Sequence, residues 1–375
     1  MIRHLALHFI LKSEIPFQEE WPDDIKVMHE ALFGGKTIDF KDAGTPLRLC
    51  TALLSQAPGT ILTGNKELIK RPLKPLLQSL EHLGARFSYH HKDYSLPFTV
   101  TKPCNAFTSC TIDDSQSSQF TSALLLLACT QKQKVRVYSE AESHGKYIQQ
   151  TLSVIAAAGI QTAYKSSTYE LWDQENMGVP KEPIEKDYSS LVFLLNLALA
   201  RPHQTFCING LNPQSIQADK AAIALYKKLG MDFTWEEEAL FFCYIPQEQK
   251  KMKLDIKSCI DLAPALIAAC TFLGTSLVLT GYENLKYKES NRIQAMNENL
   301  IQLGYRLQED KNNLILTGSI KKVSDLQIRS FEDHRIVMAM SLFAIDQAFN
   351  CDNTNCVSKS FPSYWAEFEK VKNII

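Results

Sequence analysis

The sequence of 375 residues predicts an α/β protein made of repeated βαβ-type modules. In the first of two series of markers, a loop with acidic or hydroxyl residues opens a long apolar helix, and a short β-rich run ending in a turn follows. These turns fall at Gly64, Ser139, Gly210, Gly281 and Asp352, so the steps are 75, 71, 71 and 71 residues. A period of this length is too long for a solenoid repeat and fits a module with two helices.

The second series consists of amphipathic helices that end at a glycine. Such endings occur at Gly84, Gly159, Gly230 and Gly304, with steps of 75, 71 and 74 residues. Glycine is favoured at this position because the residue after a helix commonly adopts the left-handed conformation. The two series alternate, which indicates one helix of each kind in every module.

Traces of further modules at both ends bring the expected number to six. Residues 28–34 have the pattern of a helix that ends at glycine, but Gly34 precedes Gly84 by only 50 residues, so the first module is expected to be shortened. Residues 364–371 have the pattern of a sixth helix. Residues 1–10 alternate between apolar and polar and predict a strand.

Composition limits the class of protein. Hydrophobic residues make up 45% of the chain and the formal net charge is −1, so the chain can bury a large core and lacks the basicity of a non-specific nucleic-acid binder. The longest apolar stretch, residues 123–129, is far too short to span a membrane. The ten cysteines have no CxxC spacing. We expect a reduced cytoplasmic protein with no metal, no nucleic-acid partner and no membrane partner.

Several predicted helix starts carry basic residues as well as the usual capping residues. A helix N-terminus attracts anions, although Ser, Thr and Asp at such positions most often act as caps. Arg335 precedes a wholly apolar helix and therefore needs an acidic partner or an anion. Lys288 and Arg292 are four residues apart and are predicted to share one helical face. Converging arginines indicate a small substrate with several anionic groups.

These motifs resemble those of the enolpyruvyl transferases and, among them, the EPSP synthase (3-phosphoshikimate 1-carboxyvinyltransferase) family. The matching segments occur in the family's order over about residues 28–370, and the last three are its KES(D/N)R-type, DHR and KSFP-type segments. They are 43–48 (AGTPLR), 62–64 (LTG), 70–72 (KRP), 117–120 (SSQF), 187–190 (DYSS), 288–292 (KESNR), 333–335 (DHR) and 359–362 (KSFP).

The resemblance implies a two-domain fold. Each domain would be an inside-out α/β barrel of three βαβαββ units, with the active site in the cleft between the domains. Domain one would comprise residues 1–12 and 186–375, and domain two would comprise residues 13–185 with its first unit truncated. Four cations distant in sequence, Arg71, Arg292, Arg335 and Lys359, would then face one cleft.

The resemblance also implies a reaction. The carboxyvinyl group of phosphoenolpyruvate would pass to the 5-hydroxyl of shikimate 3-phosphate through a tetrahedral intermediate, and phosphate would be released. This step belongs to aromatic amino-acid biosynthesis, toward chorismate. No cofactor is implied, and we expect a monomer.

The family's site residues fall into three sets here. The implied catalytic residues are Asp261 as general base, with Glu289 and Lys359 in proton transfer at the methylene carbon; Asp261 also suits a helix cap. Shikimate 3-phosphate would be held by Ser117, Ser118, Gln119, Asp261, Asn284 and Lys288. Phosphoenolpyruvate would be held by Gly44, Arg71, Gln119, Arg292, Arg335 and Lys359.

Two segments depart from the family pattern. The family's first unit carries Ser-Lys-Ser-x-Ser-x-Arg, and the nearest fragment here offers Lys12 and Ser13 as replacements in the shikimate 3-phosphate site. The family also has a serine three residues before Tyr147; His144 stands there, and Ser143 beside it is the candidate ligand.

Two alternative functions follow from these departures: a relative that binds anions without turnover, or a transferase of the amino-sugar branch with a different acceptor. The latter branch uses a loop cysteine that is missing here.

Overall fold

The computed structural model describes residues 1–141, 145–180, 184–248 and 251–374. The chain forms two compact units, Met1–Ile184 and Glu185–Ile375. The boundary lies within two residues of the position expected between residues 185 and 186. Residues 1–12, expected in the domain that follows this boundary, belong to the first unit instead.

The first unit begins with two helices, α1 (Ile2–Ile10) and α2 (Asp23–Phe33). The prediction of a strand over residues 1–10 is wrong. Leu5, Ala6 and Leu7 are all fully buried, and α1 packs against α2, so tertiary packing overrides a short alternating pattern. A side-chain bond from Arg3 to Thr151 also ties α1 to the first unit.

The next segment of the first unit forms a complete βαβαββ module with one additional short helix. Its elements are β1 (Thr37–Asp39), α3 (Gly44–Leu54), β2 (Ile61–Thr63), α4 (Lys66–Ile69), α5 (Lys74–His82), β3 (Arg86–Tyr89) and β4 (Phe98–Lys102). The sheet order is β1-β2-β4-β3, in which β1 and β2 are parallel and the other neighbours are antiparallel.

A second complete module follows with the same topology. Its elements are β5 (Ser109–Ile112), α6 (Ser118–Ala128), β6 (Val135–Ser139), α7 (Lys146–Ala157), β7 (Gln161–Lys165) and β8 (Thr168–Trp172). The sheet order is β5-β6-β8-β7, again with a parallel pair followed by antiparallel pairs.

The second unit contains one complete module between two partial ones. The first comprises α8 (Tyr188–Leu199), β9 (Thr205–Asn209), α9 (Ala221–Lys227), β10 (Met231–Glu236) and β11 (Ala239–Tyr244). The complete module comprises β12 (Met252–Asp255), α10 (Ala263–Phe272), β13 (Leu277–Thr280), α11 (Arg292–Ile301), β14 (Tyr305–Asp310) and β15 (Asn313–Gly318). The last comprises β16 (Leu326–Ile328), α12 (His334–Met340), β17 (Phe349–Cys351) and α13 (Tyr364–Lys372).

The repeat read from the sequence is confirmed. The five turns follow β2, β6, β9, β13 and β17, and the glycines after α5, α7, α9 and α11 have φ between 84° and 98°. Gly34 differs, because it follows α2 with φ of −95°. The first module is represented by α1 and α2 without a strand in the described residues, which agrees with the expected truncation.

Within each unit the apolar helices are buried and the strands lie outside them. The helix α6 is buried along its length from Phe120 to Ala128, and so is α10 from Ala263 to Thr271. Strands such as β6 alternate between buried and exposed residues, as a sheet with one solvated face does. No helix in the described ranges is both long and apolar enough to cross a membrane. Because the bodies of these helices are apolar and buried, the polar residues at their starts are the candidates for a functional site.

Candidate active site

Arg292 is the centre of an ionic cluster in the second unit. It is the first residue of α11, which Asn291 caps through a side-chain bond to the Gln294 amide, and only 2% of its surface is exposed. Its Nε lies 2.8 Å from an oxygen of Asp333, which caps the next buried helix, α12. Three carboxylates in all surround this one guanidinium, because Asp261 and Glu289 also bind it.

The bonds to those two carboxylates come from the ends of the guanidinium. One terminal nitrogen lies 2.9 Å from Asp261 Oδ1, and the other lies 2.6 Å from Glu289 Oε2. Four of the five N–H groups of Arg292 thus donate to carboxylates of the described residues. A buried cation paired this fully is fixed in position, and so are its partners.

Asp261 contacts two further cations. Lys288 Nζ lies 2.9 Å from Asp261 Oδ1, and Arg335 donates to the Asp261 carbonyl at 3.0 Å while lying 4.0 Å from its carboxylate. Burial favours a raised pKa for Asp261, but Lys288, Arg335 and Arg292 outweigh it and hold that pKa well below its usual range. The carboxylate is therefore ionised and able to accept a proton.

The prediction that Lys288 and Arg292 share one helical face is wrong. Lys288 follows the 3₁₀ turn Glu283–Tyr287 with an extended backbone, whereas Arg292 begins α11. The cap Asn291 separates the two elements, so the four-residue spacing does not correspond to one helical turn. The two cations still meet at Asp261. Asn284, in the same 3₁₀ turn, is partly buried.

Glu289 and Lys359 form the second side of the cluster. Lys359 ends the 3₁₀ turn Asn355–Lys359, is 4% exposed, and places Nζ 3.9 Å from Glu289 Oε1. His334 is buried beside them, and desolvation lowers its pKa to about 3, so it is neutral. The cluster thus brings together Asp261, Glu289, Lys288, Arg292, Arg335 and Lys359, all predicted from the sequence.

The sequence analysis missed one carboxylate of this cluster. Asp219, in the 3₁₀ turn Ala218–Lys220, is 2% exposed and accepts a hydrogen bond from Ser189. Its charge interacts with those of Asp261 and Arg335. Nothing in the local sequence marks this residue, because only the packing of its turn against the start of α8 brings it to the site.

In the first unit, a second polar group connects the starts of α3 and α6. Arg48 is 6% exposed and donates to Gln119 Oε1 at 2.7 Å and to Ser117 Oγ at 3.5 Å. Gln119 in turn donates to Thr45 Oγ1 at 2.7 Å. Ser117 caps α6, and Ser118 begins it. The predicted residues Ser117, Ser118 and Gln119 are therefore held at one helix N-terminus.

Gly44 lies against the guanidinium of Arg71. A Cβ atom at Gly44 would stand 2.2 Å from a terminal nitrogen of Arg71, far inside van der Waals contact. Only glycine admits this approach, so the start of α3 and the side chain of Arg71 form one site.

The remaining predicted residues lie near α1. Lys12 is exposed in the turn after α1 with φ of 54°, and the hydroxyl of Ser13 bonds His8 Nδ1 at 2.8 Å. Arg3, in α1, donates to Thr151 Oγ1 at 2.7 Å and to the Tyr147 carbonyl at 3.2 Å. Burial lowers the pKa of Arg3 to about 10, and no carboxylate of the described chain pairs with it. Ser143 lies outside the described residues.

The repeated modules and the cation-rich helix starts define an α/β protein suited to small polyanionic ligands. The family model for EPSP synthase (3-phosphoshikimate 1-carboxyvinyltransferase) matches residues 25–368. The chain belongs to the EPSP synthase family.

Individual relatives agree with this family. A 3-phosphoshikimate 1-carboxyvinyltransferase of Bacteroides fragilis is 29% identical over 98% of this chain and 92% of its own length. One of Chlamydia abortus is 32% identical over 90% of this chain and 75% of its own length. The solved structure of EPSP synthase from Acinetobacter baumannii has a TM-score of 0.70, with 22% identity, and covers 90% of this chain and 79% of its own. This likeness confirms the two-domain fold predicted from the sequence.

Proposed function

We propose that the chain transfers the carboxyvinyl group of phosphoenolpyruvate to the 5-hydroxyl of shikimate 3-phosphate and releases phosphate. The observation that carries this proposal is the fixed position of Asp261, which is ionised among Lys288, Arg292 and Arg335. The family match and the names of the relatives support the two substrates. A phosphate-release assay with both substrates, and with each one omitted, tests the proposal. Binding of both without release would contradict it.

In the proposed reaction, Asp261 takes the proton of the acceptor hydroxyl while the oxygen bonds to the carbon that carries the phosphate. The methylene carbon of phosphoenolpyruvate gains a proton to form a tetrahedral intermediate. Loss of that proton and of phosphate then regenerates the carbon–carbon double bond. Glu289 and Lys359, 3.9 Å apart, are assigned to the proton transfers at the methylene carbon.

The cations of the second unit differ in how freely they can bind an anion. Arg292 keeps one N–H group beyond those given to Asp261, Glu289 and Asp333 in the described residues. Arg335 donates from one terminal nitrogen to the Asp261 carbonyl, and within the described residues its other terminal nitrogen lies 4.0 Å from the Asp261 carboxylate. We therefore assign the main contact with phosphoenolpyruvate in this unit to Arg335, and assign Arg292 mainly to holding the acids. Lys359, 3.9 Å from Glu289, is assigned a second contact because the family resemblance implies it. Lys288 and Asn284 are assigned to shikimate 3-phosphate.

Replacement of Gly44 by alanine is expected to raise the KM for phosphoenolpyruvate at least about tenfold, the effect of losing one contact of roughly 1.4 kcal/mol. The new methyl group would displace the Arg71 guanidinium from the start of α3. Steady-state kinetics with varied phosphoenolpyruvate measures this effect. Gly35→Ala is the matched control, because a Cβ there meets nothing within 4 Å. Equal KM values for phosphoenolpyruvate in the two variants would show that Arg71 and Gly44 do not belong to the binding site.

The family carries cations in the Ser-Lys-Ser-x-Ser-x-Arg segment of its first module. We assign that role in this chain to Arg3, with Lys12 as the alternative. Arg3 has a fixed guanidinium without a carboxylate partner in the described chain, whereas Lys12 is exposed. Arg3→Met is expected to raise the KM for shikimate 3-phosphate about tenfold or more, since a contact to a charged group is worth roughly 1.5–3 kcal/mol. Lys12→Ala, assayed in parallel, should change the KM for each of the two substrates less than threefold, because an exposed side chain that contacts no substrate loses no binding energy when it is shortened. A tenfold effect in Lys12→Ala alone would reverse the assignment.

The setting of the reaction follows from the same proposal. The substrates are intermediates of aromatic amino-acid biosynthesis, so we expect the protein to act in the cytoplasm. We expect a monomer, because each of the proposed contacts is supplied by this one chain. Light scattering of the purified protein with and without the two substrates tests this expectation, and a stable dimer would contradict it.

A further inference from the structure

Asp114 is a buried acid of the first unit to which the proposed reaction assigns no role. It lies in the loop between β5 and α6, and only 3% of its surface is exposed. The acids around Arg292 are paired with a cation, whereas neutral donors of the described residues hold the carboxylate of Asp114. The position of these donors indicates what the acid does.

Three hydrogen-bond donors converge on the Asp114 carboxylate. The hydroxyl of Thr121, in the first turn of α6, donates to Oδ2 at 2.6 Å. The hydroxyl of Ser139, at the end of β6, lies 2.8 and 2.9 Å from the two oxygens, and the amide of Ala141 donates to Oδ1 at 3.1 Å. A carboxylate forms strong, directed bonds with such donors. Asp114 therefore links the start of α6 to the end of β6.

The main chain of Asp114 holds the same helix start. Its carbonyl accepts from the Ser117 amide at 3.1 Å, and Ser117 caps α6 by accepting from the Gln119 amide. The start of α7 lies against the same place, because a Cβ atom at Gly145 would stand 3.6 Å from Ser118 Cβ. Residues 117–119 are thus held by both the side chain and the main chain of one acid.

We propose that Asp114 is a positioning residue for the binding of shikimate 3-phosphate, which fixes the direction of residues 117–119 by linking the first turn of α6 to the end of β6. This inference rests on the proposed function and on the assignment of residues 117–119 to shikimate 3-phosphate. Asp114 touches no substrate in this proposal. It acts through the helix start that does.

The physical reason is the short reach of the side chains at this helix start. The hydroxyl groups of Ser117 and Ser118 lie one bond beyond Cβ, so a change of rotamer does not compensate for a shift of the helix. Binding groups have to stay within about 0.5 Å of the productive geometry, and the hydrogen bonds behind them provide this precision. The amides of a helix start, which attract a phosphate group, also move with the helix as a whole. Loss of the link should therefore weaken the binding of shikimate 3-phosphate and leave the reacting groups of the second unit in place.

The replacement Thr121→Val removes the bond to α6 alone, since the other side-chain bonds of the carboxylate remain. A misplacement of 1 Å can cost about a hundredfold, and the loss of one bond among several should cost part of this. We therefore expect the KM for shikimate 3-phosphate to rise about three- to tenfold, while kcat at saturation and the KM for phosphoenolpyruvate change less than about twofold.

Thr51→Val is the matched control for this replacement. Thr51 is buried in α3 of the same unit, and its hydroxyl donates at 2.7 Å to the Leu47 carbonyl within its own helix. The same chemical change there breaks no link between elements, so the KM for shikimate 3-phosphate should stay within about twofold of the parent value. An equal KM for shikimate 3-phosphate in Thr121→Val and Thr51→Val would overturn the inference.

Two changes of Asp114 itself separate positioning from stability. Asp114→Ala removes every side-chain bond, so the KM for shikimate 3-phosphate should rise at least about tenfold while kcat stays within about threefold of the parent value. Asp114→Asn keeps the size, one acceptor oxygen and an amide group that can donate to the two hydroxyls, so it should recover most of the lost affinity. A fall in kcat with an unchanged KM in Asp114→Ala would show a structural role alone and overturn the inference. If Asp114→Ala does not fold, Thr121→Val decides.

Calorimetric titration of shikimate 3-phosphate, without phosphoenolpyruvate, distinguishes this inference from the proposed function. Weaker binding by Thr121→Val than by Thr51→Val supports the role of Asp114 even if the parent chain shows no turnover, which would refute the proposed transfer alone. Equal Kd values for these two variants refute the inference whatever the turnover. A parent chain that does not bind shikimate 3-phosphate refutes both.

Discussion

Replacement of Arg292 by methionine is expected to lower the free energy of unfolding by about 3–5 kcal/mol, the usual effect of removing one partner of a buried ion pair. The reason is the charge that remains. Asp333 is fully buried and loses the group that lies 2.8 Å from it, while Asp261 and Glu289 lose bonds of 2.9 and 2.6 Å. Methionine fills much of the volume, so the effect is mainly electrostatic.

Urea denaturation of the parent chain and the variant measures this change. Lys286→Met is a matched control in the same unit, because Lys286 forms a 2.8 Å ion pair with Glu309 at a site where both side chains are more than 40% exposed. Surface pairs are worth only about 0–1 kcal/mol. If Arg292→Met destabilises the protein no more than the control does, the buried cluster does not exist in solution. Arg292→Lys should be intermediate, because one ammonium group cannot replace four directed N–H bonds.

Replacement of Asp261 by asparagine is expected to lower kcat by about 10²–10⁴, the range over which general base catalysis contributes. The amide matches the carboxylate in size but accepts no proton at neutral pH. The cations Lys288, Arg292 and Arg335 lose one negative neighbour. Arg292 keeps its bonds to Asp333 and Glu289, and Arg335 keeps its bond to the backbone carbonyl of residue 261. Anionic substrates should therefore still bind, and the loss should appear in turnover.

Phosphate release under saturating substrates measures this loss, and calorimetry with phosphoenolpyruvate measures the retained binding. Asp255→Asn is the control, since Asp255 is exposed in the same unit and its carboxylate accepts only from the Lys257 amide among the bonds described. A kcat within threefold of the parent value would exclude Asp261 as the base. Loss of anion binding together with turnover would point to collapse of the cluster instead.

The repeat was accessible from the sequence because its signals are local. The left-handed conformations of Gly84, Gly159, Gly230 and Gly304 follow from helix endings, which depend on a few neighbouring residues. The caps at Ser117, Asp187 and Asp333 are equally local, since each accepts from amides within three positions. The site residues were named through the resemblance to the family, and the ion pairs of the second unit bring six of them together. The convergence of Arg71 with Arg292, Arg335 and Lys359 stays a prediction.

Packing between distant segments decided the rest. Residues 1–10 form a helix because burial of Leu5, Ala6 and Leu7 outweighs a short alternating pattern. Lys288 and Arg292 meet through Asp261, 27 and 31 positions away, instead of through a shared helix. Asp219 and Arg3 stand in segments without any motif, and only their neighbours in space mark them. The sequence by itself determined the period, the helix ends and the candidate cations, since these are encoded within one turn of chain. Which acid meets which cation was decided by the tertiary structure alone, because electrostatic pairing depends on distance in space and not along the chain.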